Sequence, residues 1–162
     1  DSLASVLPTI RSRCVSFAIA PVSPADCARY CTAHGVDKKT AVLYSELFDG
    51  HIGTVLTAAR DKARTEQVDK AMELARAAQA GDSYTAAVLL APYEKDKAGA
   101  AALLRDLRAV AAAGLQGSPH APVQGQQAQR TLRLAEAAIQ RLGAQVNPKI
   151  VLTVFAARLA HA

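Results

Sequence analysis

The fold class of this chain is decided by the stretch KDKAGAAALLRDLRAVAAAG, residues 95–114. Alanine is the strongest helix former, while the aromatic and β-branched residues that favour strands are scarce here. Apolar side chains recur every three or four residues, as they do on one face of an amphipathic helix. They are Leu103, Leu104, Leu107, Val110 and Ala111. The pattern predicts a helix from Lys95 to Ala113 that ends at Gly114.

Alanine-rich sequence of the same kind covers the chain from Thr65 onward. The helices that it predicts span 65–80, 83–90 and 124–142, and a last one starts at Pro148. Two of them carry an apolar stripe that requires a packing partner. The stripes are Ala128, Leu132, Ala135, Ile139 and Leu142 on one helix and Val151, Val154, Phe155 and Leu159 on the last. The Gly- and Pro-rich residues 114–125 predict a mobile surface loop or a linker.

The composition of the 162 residues limits the class of protein. Hydrophobic residues make up 51% of the chain and aromatic residues 4%, which excludes a disordered chain and favours an all-α fold. No apolar run approaches the ~18 residues of a transmembrane helix, so we expect no membrane contact. An excess of 19 basic over 14 acidic residues permits contact with a polyanion without establishing it.

The three cysteines, Cys14, Cys27 and Cys31, are too few for a disulfide framework, and their number is odd. This usage favours a reducing compartment, and the N-terminus carries no basic and apolar secretory signal, so we expect a cytoplasmic protein. Because position 1 is Asp and not Met, we also expect the chain to be part of a longer protein.

The N-terminal third is organised differently. Residues 2–14 predict a short helix that Pro8 kinks or breaks, and residues 15–20, VSFAIA, predict a strand. Three short helices follow, which we expect to form a compact bundle. They run from Ser23 to Gly35, from Asp37 to Leu47 and from Ile52 to Arg60. A lone strand cannot satisfy its backbone N–H and C=O groups, so we expect residues 1–22 to end an α/β domain whose other strands lie elsewhere.

Metal-binding and catalytic patterns are weak in this sequence. Cys27 and Cys31 lie four residues apart, but a zinc ion needs four ligands and no second pair accompanies them, so we predict buried thiols and no metal. No phosphate-binding loop of the GxxxxGKS type is present, which excludes an independent P-loop ATPase. The histidines are dispersed and pair with no nucleophile. They are His34, His51, His120 and His161.

A group of arginines in the C-terminal helices is a candidate DNA-facing stripe. Its members are Arg105, Arg108, Arg130, Arg133 and Arg141. Acidic residues such as Asp106 and Glu136 alternate with them, and no aromatic residue provides a stacking platform. We therefore predict a solvated surface with ion pairs within each helix, and not a DNA-binding face.

Residues 7–14, LPTIRSRC, followed by the predicted strand, form the most specific string in the chain. This string resembles the element of bacterial clamp loaders that ends in Ser-Arg-Cys, between a short helix and the last strand of the AAA+ nucleotide-binding module. The matching residues are Ser12, Arg13 and Cys14. The resemblance implies that Arg13 is a trans arginine finger, which projects toward the γ-phosphate of the ATP bound by a neighbouring subunit. A planar, permanently charged guanidinium suits that task because it meets phosphate oxygens bidentately.

Two further stretches are similar to the same family. Residues 48–56, FDGHIGTVL, resemble the start of the third lid helix, where ATP-hydrolysing clamp loader subunits usually carry Gly-Ser-x-Arg-x-Ala-Leu. Gly53 occupies the position of that nucleotide-sensing Arg. The resemblance therefore implies a subunit that does not hydrolyse ATP, as in the delta-prime (stator) family. Residues 147–159 resemble the closing helix of such subunits.

The resemblance also implies an architecture and partners. It assigns residues 1–22 to the AAA+ remnant, 23–64 to the three-helix lid and 65–162 to a helical collar. The collar would join gamma/tau and delta subunits in a ring that loads the sliding clamp on primed DNA. We expect its oligomerisation residues to be Leu132, Ile139, Val151, Val154 and Phe155. The neighbouring subunit would bind ATP, and this chain would be a non-catalytic part of the DNA polymerase III holoenzyme.

Two alternatives remain open from the sequence. A gamma/tau-type clamp loader subunit would be an ATPase, and we would then expect an Arg in place of Gly53. A free-standing helical adaptor or basic DNA-binding module would be unrelated to clamp loading. The lone predicted strand argues against this second alternative, because such a module has no sheet to complete it.

Overall fold

The computed structural model describes residues 7–15, 17, 20 and 22–160. Within these residues the chain forms nine α-helices and no strand, so the predicted all-α class is confirmed. The helices are α1 (Pro8–Arg11), α2 (Pro24–Ala33), α3 (Lys38–Leu47), α4 (Ile52–Arg60), α5 (Lys62–Ala80), α6 (Ser83–Leu90), α7 (Lys97–Leu115), α8 (Gly125–Gly143) and α9 (Pro148–Ala160), and a 3₁₀ turn, Ala91–Tyr93, follows α6. None of the described helices combines the length and apolar character that a membrane span requires.

Six helices begin at a side chain that accepts their first backbone N–H groups. These caps are Ser23, Asp37, Asp61, Asp82, Asp96 and Asn147. Asp61 also explains the largest shift from a predicted helix start. Its carboxylate accepts the N–H of Ala63 at 2.9 Å, so α5 begins at Lys62 and not at Thr65.

The helices α2, α3 and α4 pack on one another around a small apolar core. The buried members of this core are Cys27, Ala28, Cys31, Ala41, Tyr44, Leu47, Val55 and Ala58. The Tyr44 and Phe48 rings meet edge to face, with their centroids 5.8 Å apart. Gly50, which follows α3, has a φ of +71° and lies so close to the backbone of Val22 that a Cβ atom would overlap it. Both the backbone conformation and the lack of space therefore require glycine there.

The helix α7 is central to the C-terminal group, because it packs against both α5 and α8. The helix α9 in turn packs against both α6 and α8. The largest fully buried side chains of this group are Leu74, Leu90, Leu103, Leu104, Leu107, Leu142 and Leu159. Fully buried alanines on α5, α7 and α8 let the helices approach closely. They include Ala71, Ala75, Ala100, Ala111, Ala128 and Ala135.

The two helical groups share a packed junction. Asp61 alone separates α4 from α5, and these helices contact each other, as do α3 and α7. The predicted boundary between residues 64 and 65 therefore falls inside the first turn of α5. A polar contact adds to the junction, since the hydroxyl of Ser118 donates a hydrogen bond to the carboxylate of Glu46 on α3.

The strand predicted over residues 15–20 is not formed at the positions that the structure describes. Val15, Phe17 and Ala20 lie outside any regular element, while residues 16, 18 and 19 are outside the described part of the chain. Val15 is 80% exposed and Phe17 is 87% exposed. The physical reason is that a strand needs a neighbour to pair its N–H and C=O groups, and the described residues contain no other strand.

The helix predicted over residues 2–14 is reduced to one turn in the described residues. It starts at Pro8 and ends at Arg11, while residues 2–6 lie outside the described part. Pro8 occupies the first turn, where its missing N–H costs nothing. The prediction that Pro8 kinks or breaks a longer helix concerns residues outside the described part, and it stays a prediction.

The prediction of a mobile loop over 114–125 is wrong. Gly114 is still part of α7, and Ala121 and Val123 are buried in the core. The side-chain amide of Gln124 donates to the backbone carbonyl of Ser118 at 3.0 Å, so the two ends of the segment 118–124 are hydrogen-bonded to each other. Glycine and proline content indicated a turn correctly, but two buried apolar side chains anchor that turn to the helices.

Candidate functional site

The Ser-Arg-Cys string directly follows α1. The hydroxyl of Ser12 donates to the carbonyl of Thr9 at 3.2 Å, and the backbone N–H of Arg13 donates to the carbonyl of Ile10 at 3.0 Å. These bonds order the backbone, while the side chains of Arg13 and Cys14 are exposed. Within the described residues the Arg13 guanidinium has neither an acidic partner nor a hydrogen bond, which leaves it free to bind an anion.

Exposed apolar side chains surround this arginine along the chain. Leu7, Ile10, Val15 and Phe17 are all largely exposed. The helix α1 makes no extended contact with any other described helix. The segment therefore presents a cation flanked by uncovered apolar groups, a composition typical of protein surfaces that a partner covers.

Gly53 lies in the first turn of α4 and is exposed. Its carbonyl accepts a hydrogen bond from the hydroxyl of Thr57 at 2.9 Å. A Cβ atom added to Gly53 would meet nothing within 4 Å, so packing within this chain does not exclude a larger side chain.

The predicted oligomerisation residues serve the intramolecular core in this structure. Val151 and Phe155 are each only 3% exposed, and Val154 is half-buried on the same helix. Leu132 and Ile139 are half-buried and pack against that core. The partner that the α8 stripe required is supplied by α7 and α9 of the same chain. Burial therefore removes Val151 and Phe155 from any assembly surface, whereas Leu132, Ile139 and Val154 keep part of their side chains exposed.

A surface that the sequence reasoning missed lies between α6 and α9. It encloses a groove of about 370 Å³, with the 3₁₀ turn at one end. The groove is lined mainly by Tyr84, Ala87, Leu152, Ala156 and Ala157, and Glu94 is its one charged lining residue. Tyr84 is 78% exposed, Val88 54% and Ile150 59%. Of these, Tyr84 lines the groove, while Val88 follows Tyr84 by one turn on α6 and Ile150 lies in the first turn of α9. We call these three side chains, with the groove, the α6–α9 apolar face.

The sequence held an indication of this face. Residues 83–93, SYTAAVLLAPY, contain no charged side chain, so α6 is apolar on all sides. A helix of that composition is normally covered all round. Here Ala86 and Leu90 are buried against the chain's own core, whereas Tyr84 and Val88 point to solvent.

Asp106 is the one buried carboxylate among the described residues. The Arg64 guanidinium of α5 binds it in a bidentate manner, with Nη2 2.5 Å from Oδ1, and the amide of Gln67 donates to it at 2.7 Å. The same guanidinium lies over the Phe48 ring, 5.7 Å from its centroid. Hydrogen bonding to Asp106 raises the pKa of Arg64 above its ordinary value, so the Arg64 guanidinium stays protonated.

The predicted ion pairs within the C-terminal helices do not form. Asp106 points inward to Arg64, so it does not neutralise its neighbours on α7. Among the described residues, no acidic side chain pairs with any arginine of the candidate stripe. Those arginines are Arg105, Arg108, Arg130, Arg133 and Arg141.

The cysteines behave as two classes. Cys27 and Cys31 are fully buried on one face of α2, whereas Cys14 is exposed. Burial, together with the neighbouring Cys27 thiol, raises the pKa of Cys31 to about 11. The described residues contain no group of three or more His, Cys, Asp or Glu side chains close enough to hold a metal ion.

Comparison with known proteins identified no relative of this chain. No family model matches the chain, and no significant match was found among curated proteins or solved structures. The functional inference therefore depends on the residues themselves.

Proposed function

We propose that this chain is the C-terminal part of a delta-prime (stator) subunit of the bacterial DNA polymerase III clamp loader. The observation that carries the proposal is the LPTIRSRC string with its exposed Arg13, which forms no ion pair within residues 7–15, 17, 20 and 22–160. An arginine that has no ion-pair partner among the described residues is suited to act on a ligand held by another subunit. In this role it stabilises the charge that develops on the neighbour's γ-phosphate during ATP hydrolysis.

The residue at position 53 supports a stator and not a motor. A lid that senses its own nucleotide needs a cation to bind the phosphate oxygens, and Gly53 supplies none. The space around Gly53 is open, so the absence of an arginine is not explained by crowding. This favours a subunit that lends Arg13 to its neighbour without hydrolysing ATP itself, and it disfavours the gamma/tau-type alternative.

The α6–α9 apolar face supports assembly through a collar. The proposed partners are the gamma/tau and delta subunits, and the ring that they form would load the sliding clamp on primed DNA in the cytoplasm. Small side chains line the groove between α6 and α9, so a helix of a neighbouring subunit could approach closely. This assigns ring contacts to Tyr84, Val88 and Ile150, in place of the buried Val151 and Phe155.

A reconstituted clamp loader with Arg13→Ala in the full-length subunit tests the role of Arg13. We expect the ring to assemble normally, and clamp loading and DNA-stimulated ATP turnover to fall at least tenfold. Arg76→Ala, which removes another exposed arginine without an ion pair, is the matched control and should leave both rates unchanged. Wild-type ATP turnover with Arg13→Ala would show that the assigned role is wrong.

A second experiment tests assembly. Tyr84→Asp and Val88→Asp place a charge on the α6–α9 apolar face without touching the core, and both should abolish co-elution with partner subunits on a sizing column. Thr54→Asp, at an exposed position on α4, is the control and should co-elute as the wild type does. Unchanged co-elution of both charged variants would contradict the assignment of this face.

A further inference from the structure

The charge of this chain is distributed unevenly along its sequence. Residues 97–162 contain eight Lys and Arg against two Asp and Glu, whereas residues 23–96 contain nine against eleven. The whole excess of positive charge, apart from a small contribution near the N-terminus, therefore lies on α7, α8 and α9 and their connections. Such an asymmetry indicates a polyanion as a partner of the basic part.

The fold strengthens this asymmetry at the surface. Of the two acidic residues in 97–162, Asp106 is buried and neutralised by Arg64, which comes from α5. Glu136 is exposed but forms no ion pair among the described residues. The basic side chains of α8 thus face solvent with almost no compensating negative charge of their own.

Four arginines share the surface where α8 meets α9. Arg130 and Arg141 are eleven residues apart on α8, which is about three helical turns, so they lie on one line about 16 Å apart. Arg133 is on the same turn as Arg130. A guanidinium N–H of Arg130 donates to the carbonyl of Arg158 at 2.6 Å, which places the end of α9 beside that turn. We call these four residues the α8–α9 basic face.

The side chains around the basic face can donate hydrogen bonds to an anion, and few of them carry a negative charge. A cavity of about 450 Å³ lies along α8. Its described lining consists of Gln126, Gln127, Gln129, Arg130, Arg133 and Leu134. Glu136 lies about 120° around the helix from Arg130, away from the line that joins Arg130 and Arg141, but it is three residues from Arg133 and is the one carboxylate of α8.

We propose that the α8–α9 basic face binds the phosphodiester backbone of a nucleic-acid duplex. Guanidinium groups bind phosphate oxygens bidentately, and 16 Å of duplex carries about nine phosphate charges, enough for every arginine of the face to find one. The described helices α7, α8 and α9 expose no aromatic side chain, so stacking on unpaired bases has no platform. Contacts to the phosphodiester backbone, without contacts to the bases, give binding that is independent of the nucleotide sequence.

This binding is distinct from the proposed function. The clamp loader proposal rests on Arg13 and the α6–α9 apolar face, and it needs no contact between this chain and DNA. The basic face would act on duplex whether or not a ring forms, so the two proposals fail or succeed in separate experiments.

Fluorescence anisotropy of the 162-residue chain with a labelled random-sequence 30-base-pair duplex tests the proposal, in a salt series from 50 to 200 mM. We expect binding that weakens steeply with salt. Arg133→Gln/Arg141→Gln should weaken binding about tenfold at 50 mM and lower the slope of log K against log salt by about 2. Both residues are exposed and hydrogen-bonded to no described group, so the substitutions leave the fold unchanged.

Lys38→Gln/Arg76→Gln is the matched control, because it removes the same charge from two exposed side chains of the acidic part, neither of which forms an ion pair among the described residues. This variant should keep the wild-type affinity within about twofold and the wild-type salt slope. Equal weakening by both double variants would show that net charge alone attracts the duplex, and would overturn the proposed face. No binding at 50 mM salt, or equal affinity for a single strand of the same length, would also overturn it.

Discussion

Asp106 connects three helices through one carboxylate. It lies on α7, pairs with Arg64 and Gln67 of α5, and holds Arg64 against Phe48 at the end of α3. A buried ion pair of this kind contributes little compared with apolar residues of the same size, but the loss of one partner leaves the other charge uncompensated. Removal of one partner should therefore lower the stability of the chain, whereas replacement of both partners by apolar residues should change it little.

Asp106→Ala should lower the free energy of unfolding by about 3 kcal/mol, as measured by urea denaturation, because Arg64 is left partly buried without its carboxylate. Arg64→Leu/Asp106→Leu should recover most of that loss, since both charges are then removed. Lys149→Ala, which breaks an exposed pair with Glu94, is the control and should cost less than about 0.5 kcal/mol. A loss as small as that of the control would contradict the role of Asp106.

The thiols offer a second prediction for single residues. In the native chain at pH 8, iodoacetamide should modify Cys14 and spare Cys27 and Cys31, because both are buried and the pKa of Cys31 is raised to about 11. Modification of all three should follow in 6 M urea. Mass spectrometry of the peptides measures this directly, and rapid native labelling of Cys31 would mean that α2 is not packed as described.

Among the elements, the connection from α7 to α8 shows how a turn is held in the core. Gly114 lies in the last turns of α7, where an added Cβ would overlap the carbonyl oxygen of Val123. Val123 is fully buried, so neither side of this contact can move freely. Glycine is needed here for close approach, although its backbone conformation is helical.

Gly114→Ala should therefore destabilise the chain by about 2 kcal/mol in spite of the better helix propensity of alanine. Gly143→Ala is the matched control at the end of α8, where an added Cβ meets nothing within 4 Å. The control should be neutral or stabilise the chain by about 0.5 kcal/mol. Thermal unfolding followed by circular dichroism compares the two, and stabilisation by Gly114→Ala would contradict the packing of this turn.

At the scale of the whole molecule, the helices before and after Asp61 form one packed body. The contacts of α3 with α7 and of α4 with α5, the pair of Arg64 with Asp106, and the bond from Ser118 to Glu46 all cross between the groups. Apolar burial at such a junction couples the unfolding of its two sides.

We therefore expect one cooperative unfolding transition. Hydrogen exchange of the α2 and α3 amides should report the same free energy of opening as the α7 amides, to within about 1 kcal/mol. Earlier exchange of α2–α4 at low denaturant would show instead that these helices unfold on their own. Glu46→Ala should widen any difference, because it removes a polar contact that crosses the junction.

The positions of most helices followed from the residues alone, because caps and apolar periodicity act over a few neighbours, although the starts of α5 and α7 did not. Ser23, Asp37 and Asn147 are caps where the sequence predicts helix starts, and the all-α class follows from the same local preferences. The candidate role of Arg13 also came from a short string, and the structure adds that this side chain is exposed.

Tertiary structure decided which stripes are covered and which charges are neutralised. Val151 and Phe155 are buried, Tyr84 and Val88 are left in solvent, and Asp106 is drawn inward by a residue 42 positions earlier in the chain. The reason is physical: periodicity shows that a side chain needs a partner, but the partner comes from distant sequence. The α8–α9 basic face and the α6–α9 apolar face can therefore be told apart from the core only in the tertiary structure.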